Sequence, residues 1–215
     1  MQIRYTGLLA ALLFIAAGTA SVNARETGNS IYDRLGGGDP TSGKIKSEKH
    51  LCQECHGERG DSPTAGAPKL TGQQAPYIFK QLKNFQSGER NHPVMNVMAA
   101  EVPEKDLLDI AAYFSVQEKM AGKQRKEFLH AKQLFQGGDW NRNILACKTC
   151  HGDNGKGSNG AYPIIGGQYA IYLREQLLHW RSGERSNSDG DVMHTVSKLL
   201  TDAEIEDLSD YISGF

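Results

Sequence analysis

The cysteines of this chain fall in two copies of one pattern, Cys52-Gln53-Glu54-Cys55-His56 and Cys147-Lys148-Thr149-Cys150-His151, and there are no others. Two thiols three positions apart on a helical turn can reach the two vinyl groups along one porphyrin edge and form thioethers. The next residue then sets its imidazole beneath the iron. Cys-x-x-Cys-His is the attachment sequence of a c-type haem, so two copies predict two covalently bound haem c groups, with His56 and His151 as iron ligands. A disulfide framework gives no reason for a histidine after each pair. Zinc sites built from two cysteine pairs space them by roughly 15–20 residues, whereas these lie 95 apart. A thioredoxin-like pair would be a single motif between a strand and a helix.

Sliding the chain by 95 positions superposes Gly57 on Gly152, Gly60 on Gly155, Pro68 on Pro163 and Gly72-Gln73 on Gly167-Gln168. Tyr77 falls on Tyr172, Gln81-Leu82 on Gln176-Leu177, and Ser87-Gly88-Glu89-Arg90 on Ser182-Gly183-Glu184-Arg185. Roughly two in five positions between the first cysteine and that arginine are identical, which marks duplication of a whole domain rather than a short-period solenoid. Beyond Arg90 the second copy is longer, from Ser186 to Asp191, and the offset becomes 98: Met95 meets Met193, Asp109 meets Asp207 and Tyr113 meets Tyr211.

The shifted register selects the second iron ligand. A thioether is a soft donor suited to haem iron on the face opposite the histidine. Met95 and Met193 are the repeat-matched pair, each expected in a polar loop. Met98 falls on Val196 and reads as core packing. His194 beside Met193 is a rival ligand, while His92 and His179 have no repeat partners and read as surface or structural residues.

The elements that must hold these ligands are helical. One helix leads from about Gly43 to Cys52, its counterpart starting at Phe128 to Phe135. A second spans Pro76 to Ser87 with Ile78, Leu82 and Phe85 at helical spacing, matched by Leu173, Leu177 and Trp180. A third carries Leu107, Ile110 and Phe114, matched by Ile205, Leu208 and Ile212. Thr201 to Glu204 has the pattern of a capping box, and Pro103 stands near the equivalent start. No segment alternates as a strand, so the fold class is all-α, with domain 1 over 41–118, domain 2 over 119–215 and the linker around Ser115 to Gly122. The stretch 25–40, with Gly36-Gly37-Gly38, reads as a flexible lead, and Gly138 to Asn143 lengthens the approach to the second motif.

Arg4 precedes an apolar run from Leu8 to Ala17 and a small-residue stretch ending Val22-Asn23-Ala24, the layout of a secretory signal peptide over 1–24. An apolar run of about ten residues is too short to cross a bilayer core of roughly 30 Å. Export to the periplasm follows, with cleavage after Ala24 or Ala20; the alternative is an uncleaved N-terminal anchor, since Arg4 alone gives a positive charge before the run. The formal net charge of -1 gives no basic face for nucleic acid.

With haem motif, proline loop, aromatic helix, methionine segment and final helix in that order twice, the sequence resembles the di-haem cytochrome c4 family, built from two class I cytochrome c domains. Its most specific carriers are Pro68-Lys69-Leu70-Thr71-Gly72-Gln73, the stretch Tyr77 to Arg90, and Ile164-Ile165-Gly166-Gly167-Gln168. The resemblance implies that Pro68 and Pro163, each twelve positions after the histidine, offer a backbone carbonyl to its free N–H and so tune the iron. It also implies two haems near the domain interface that exchange electrons. Partners would be redox proteins: a quinol-oxidising complex as donor, a terminal oxidase as acceptor, no small-molecule substrate, and room for loose membrane association. Two rival readings are a haem subunit of a periplasmic dehydrogenase, such as a flavin-containing sulfide-oxidising complex, and a di-haem peroxidase in which one methionine leaves its iron. Because both motifs are complete, a pyridine haemochrome assay should find two covalent haems per chain, and one or none would contradict the reading.

Overall fold

A computed structural model of the chain describes residues 31–123, 126–158, 160 and 162–215; the segment 1–24 lies outside them. Eleven α-helices are present among the described residues, with no strand beyond isolated bridges, and none is long and apolar enough to cross a membrane. The first half holds α1 (Ile31–Arg34), α2 (Pro40–Lys49), α3 (Cys52–His56), α4 (Ala75–Ser87), α5 (Met95–Ala100) and α6 (Glu104–Ser115). The second holds α7 (Leu129–Gly137), α8 (Lys148–His151), α9 (Ala170–Ser182), α10 (Val192–Lys198) and α11 (Asp202–Ser213).

In domain 1 the central element is α6, buried continuously from Leu107 to Phe114 and packed against α2 and α4. Helix α2 has little apolar stripe of its own and is held by other means. Gly43 lets its backbone approach α6 so closely that a Cβ there would overlap the Asp109 carbonyl. Lys46 pairs with Asp109 and, at 2.8 Å, with Asp106, which also takes His50 Nε2 at 3.0 Å. Asp39 caps the helix through the Thr41 and Ser42 amides, satisfying N–H groups that the first turn leaves without partners.

Three expectations are corrected. The helix leading into the first motif is broken: Leu51 adopts a left-handed conformation with φ 59° and separates α2 from α3. The methionine segments are short helices, α5 and α10, rather than loops. The end of the stretch read as a flexible lead is folded onto domain 1, because Tyr32 is buried against Phe79 with ring centroids 5.9 Å apart, and its hydroxyl accepts from the Gly38 amide at 2.9 Å.

Domain 2 repeats the plan around Leu134, Phe135, Ile205, Leu208 and Ile212. The capping box is formed, with Thr201 Oγ1 accepting from the Glu204 amide at 3.2 Å and Glu204 Oε2 accepting from the Thr201 amide at 2.9 Å. The extra residues before the second motif form a tight turn, in which Asp139 and Ile144 exchange two backbone bonds of 2.8 Å. Arg142 ties that turn to Glu204 at 2.5 and 3.1 Å. Between the domains, the segment after α6 is gripped from both sides: Gly72 lies against Lys119, and Gly167 against Ala121, with Met120 buried between them. Replacing Gly43 by alanine should destabilise domain 1 by about 1–3 kcal/mol through overpacking, read as a lower thermal midpoint; an unchanged midpoint would show that the α2–α6 crossing is looser than described.

Candidate functional site

His56 closes α3 and is buried, with Nδ1 2.8 Å from the Pro68 carbonyl oxygen. His151 closes α8 and lies 3.0 Å from the Pro163 carbonyl. A carbonyl can only accept, so Nδ1 carries the proton in each ring and the neutral imidazole keeps its lone pair on Nε2. Burial pushes both imidazoles below their ordinary pKa, outweighing the proline carbonyls, which act the other way. The proline loops are braced identically. The Gly60 carbonyl takes the Leu70 and Thr71 amides at 2.6 and 2.9 Å, and the Gly155 carbonyl takes those of Ile165 and Gly166 at 2.8 and 3.0 Å.

Cys52 packs against the core of domain 1 and Cys147 against that of domain 2, and burial raises both thiols to about 11. Cys55 is exposed and Cys150 half-buried. In each motif the first thiol packs against the apolar interior, and in the first motif the second thiol lies at the surface.

Met95 opens α5 and Met193 lies in the first turn of α10, both half-buried. Met98, expected in the core, is exposed. Each methionine-bearing helix is pinned to the end of the aromatic helix before it. Asn96 Nδ2 donates to the Phe85 carbonyl at 2.7 Å, and at the matching place His194 Nδ1 lies 2.6 Å from the Trp180 carbonyl. His194 thus stands where domain 1 has an asparagine and spends its Nδ1–H on the same structural bond. His92 Nδ1 accepts from the Val94 and Met95 amides at 3.3 and 3.2 Å, which fixes the turn entering α5.

Sequence reasoning gave no role to the polar residues shared by both repeats, and they build the domain interface. Arg90 and Arg185 form an antiparallel backbone bridge, and both side chains are buried. Arg90 donates to Gln81 of its own domain at 2.7 Å and to Tyr172 and Gln176 of the other at 3.0 and 2.8 Å. Arg185 mirrors this, donating to Gln176 at 2.7 Å and to Tyr77 and Gln81 at 3.1 Å each. Each guanidinium also covers an aromatic ring of its own domain, Phe85 at 4.8 Å and Trp180 at 4.4 Å. Among the described residues neither arginine has a carboxylate partner. Burial, which would raise the Tyr77 phenol, is outweighed by the Arg185 and Arg90 charges, so it sits below its usual pKa. The visible signal in the sequence was the repetition of Tyr, Gln and Arg at one offset; what was missing was that the two copies face each other.

The family described as Cytochrome c matches residues 129–214. The cytochrome c4 of Pseudomonas aeruginosa is 35% identical, over 82% of this chain and 89% of that protein. A thiosulfate dehydrogenase electron acceptor of Stutzerimonas stutzeri is 32% identical, over 97% of this chain and 92% of its own length. The crystal structure of reduced recombinant cytochrome c4 from Pseudomonas stutzeri superposes with a TM-score of 0.77 at 37% identity, covering 82% of this chain and 98% of that one. With the helical plan, the duplicated Cys-x-x-Cys-His motifs and these likenesses in agreement, the chain belongs to the cytochrome c4 family, periplasmic di-haem cytochromes that carry two covalent haem c groups and transfer electrons.

Proposed function

We propose that this chain is an exported two-centre electron relay in which Cys52 and Cys55 hold the first haem and Cys147 and Cys150 the second. His56 and Met95 would be the axial ligands of the first iron, and His151 and Met193 those of the second. The observation that carries this reading is the pair of buried histidines, each directly after its cysteine pair and each with Nδ1 tied to a proline carbonyl twelve residues on.

The haem supplies one-electron chemistry between ferric and ferrous iron. The chain's own residues do the rest. The Pro68 and Pro163 carbonyls fix the imidazole planes and keep Nε2 as the donor atom. As ligands, the Met95 and Met193 sulfurs would favour the ferrous state and raise the potential. Arg90 and Arg185, two buried cations with only neutral acceptors around them among the described residues, would suit the propionates of the haems, since a buried charge without an anion is expensive. With His56 and Met95 on one iron and His151 and Met193 on the other, no position would be open to peroxide or another substrate, so the relay would turn over no substrate of its own.

The donor in this reading is a quinol-oxidising complex and the acceptor a terminal oxidase, both reached in the periplasm after removal of the segment 1–24. A second reading, acceptance of electrons from a periplasmic dehydrogenase, is favoured by the likeness to a thiosulfate dehydrogenase electron acceptor across nearly the whole chain. The two divide on kinetics. The ferric protein should be reduced faster by a purified quinol-oxidising complex with quinol than by a thiosulfate dehydrogenase with thiosulfate, and the opposite order would select the second reading. The ligand assignment is tested separately: Met95→His should change the spectrum of the first haem and lower its potential, while Met98→Leu should leave both nearly unaltered, and the reverse pattern would move the ligand to Met98.

A further inference from the structure

Gln73 and Gln168 occupy matching positions in the repeat, and each is almost fully buried, 5% and 4% exposed. Each side chain reaches into the other domain. Gln73 Oε1 accepts from the Ile164 amide at 2.9 Å and its Nε2 donates to the Ile164 carbonyl at 2.7 Å. Gln168 Oε1 accepts from the Lys69 amide at 3.0 Å and its Nε2 donates to the Lys69 carbonyl at 2.9 Å. The positions they grip are not arbitrary. The Ile164 N–H belongs to the same peptide group as the Pro163 carbonyl that holds His151, and the Lys69 N–H to the same group as the Pro68 carbonyl that holds His56.

Two continuous chains of dipoles result. One runs from the His151 N–H through the Pro163–Ile164 peptide to the Gln73 amide, the other from the His56 N–H through the Pro68–Lys69 peptide to the Gln168 amide. A peptide whose N–H is engaged by a good acceptor becomes a better acceptor at its own oxygen, and hydrogen bonds in such chains polarise one another, most of all away from water. The glutamine oxygens are themselves held in place by the next residue's amide, Gln74 at 3.1 Å and Tyr169 at 3.0 Å. Gln168 Nε2 also lies 3.5 Å from the Met120 sulfur in the segment joining the domains. A stronger acceptor on the imidazole N–H makes the ring a stronger donor to iron, and a stronger donor favours the ferric state.

We propose that each domain sets the reduction potential of the other's haem through these glutamines: Gln73 lowers that of the haem bound by His151, and Gln168 that of the haem bound by His56. This rests on the ligand assignment above. Both are positioning residues that act through a peptide group rather than by touching iron. If they were only interface glue, their loss would disturb both centres alike or neither.

The test uses the full-length holoprotein. Gln73→Leu removes the acceptor, and should shift the second haem upward in potential, raising its ferrous-to-ferric ratio a few-fold at a fixed electrode potential while the first haem stays put. The His151 Nδ1–H resonance of the ferrous protein should move upfield, and that of His56 should not. Gln168→Leu should give the mirror result. Gln73→Met keeps the length and bulk of the side chain without its acceptor, so it should repeat the upward shift at the second haem. A shift confined to the variant's own domain, equal shifts of both haems, or none would overturn the proposal. If Gln73→Leu fails to fold, Gln73→Met decides: an upward shift larger at the second haem supports the proposal, and equal or absent shifts overturn it. A protein without two covalent haems in the unsubstituted chain would instead sink the ligand assignment, a failure distinguishable from two normal centres that do not respond.

Discussion

A buried imidazole offers a lone pair in a fixed direction only when its other nitrogen is tied down, and the arrangement of both domains serves that single bond. The proline carbonyl must be held still, so the loop bearing it is stitched to a glycine carbonyl on one side and to the neighbouring domain on the other. The histidine must be held still as well, and it closes a one-turn helix at whose start the first cysteine packs against the core. Burial keeps the ring neutral without further help, because desolvation disfavours the imidazolium.

The interface adds a second constraint, that of like charges. Two guanidiniums buried side by side, with no carboxylate partner among the described residues, would be unfavourable by themselves. Phenol and amide oxygens and two aromatic faces absorb part of that cost. The surplus positive charge sits between the two domains and, in the proposed relay, would favour anionic groups of the haems there. Stability of the interface and loading of the two sites are therefore linked, in the sense that whatever binds only the folded form stabilises it.

Much of this was legible in the sequence, for identifiable reasons. The cysteine and histidine pattern is short, chemically specific and repeated; the aromatic helices announce themselves by spacing; and the capping box at Thr201 is a local signal read within four residues. What failed was non-local or weakly encoded. Helix α2 has no apolar stripe because ion pairs and a glycine crossing hold it, so periodicity put its end too late and missed the break at Leu51. The helical turns at Met95 and Met193 are too short for periodicity to register. Tyr32 looked like part of a mobile lead because its partners, Phe79 and Leu108, are distant in the chain. Gln73, Gln81 and Arg90 were seen to repeat, yet repetition alone could not distinguish residues that line a cofactor from residues that meet their own copies.

That last feature bears on ancestry. An interface in which tyrosine, glutamine and arginine of one half meet the same residues of the other is the geometry of an isologous dimer, here threaded on one polypeptide. A single-domain forebear could have paired with itself through this surface before its gene doubled. Fusion would then have turned an encounter between separate molecules into a permanent one at high effective concentration, leaving each side free to diverge. Asn187, which bonds Gln81 and Asn84 from the stretch that is longer in the second half, is a departure from symmetry that two identical subunits could not have acquired on one side alone.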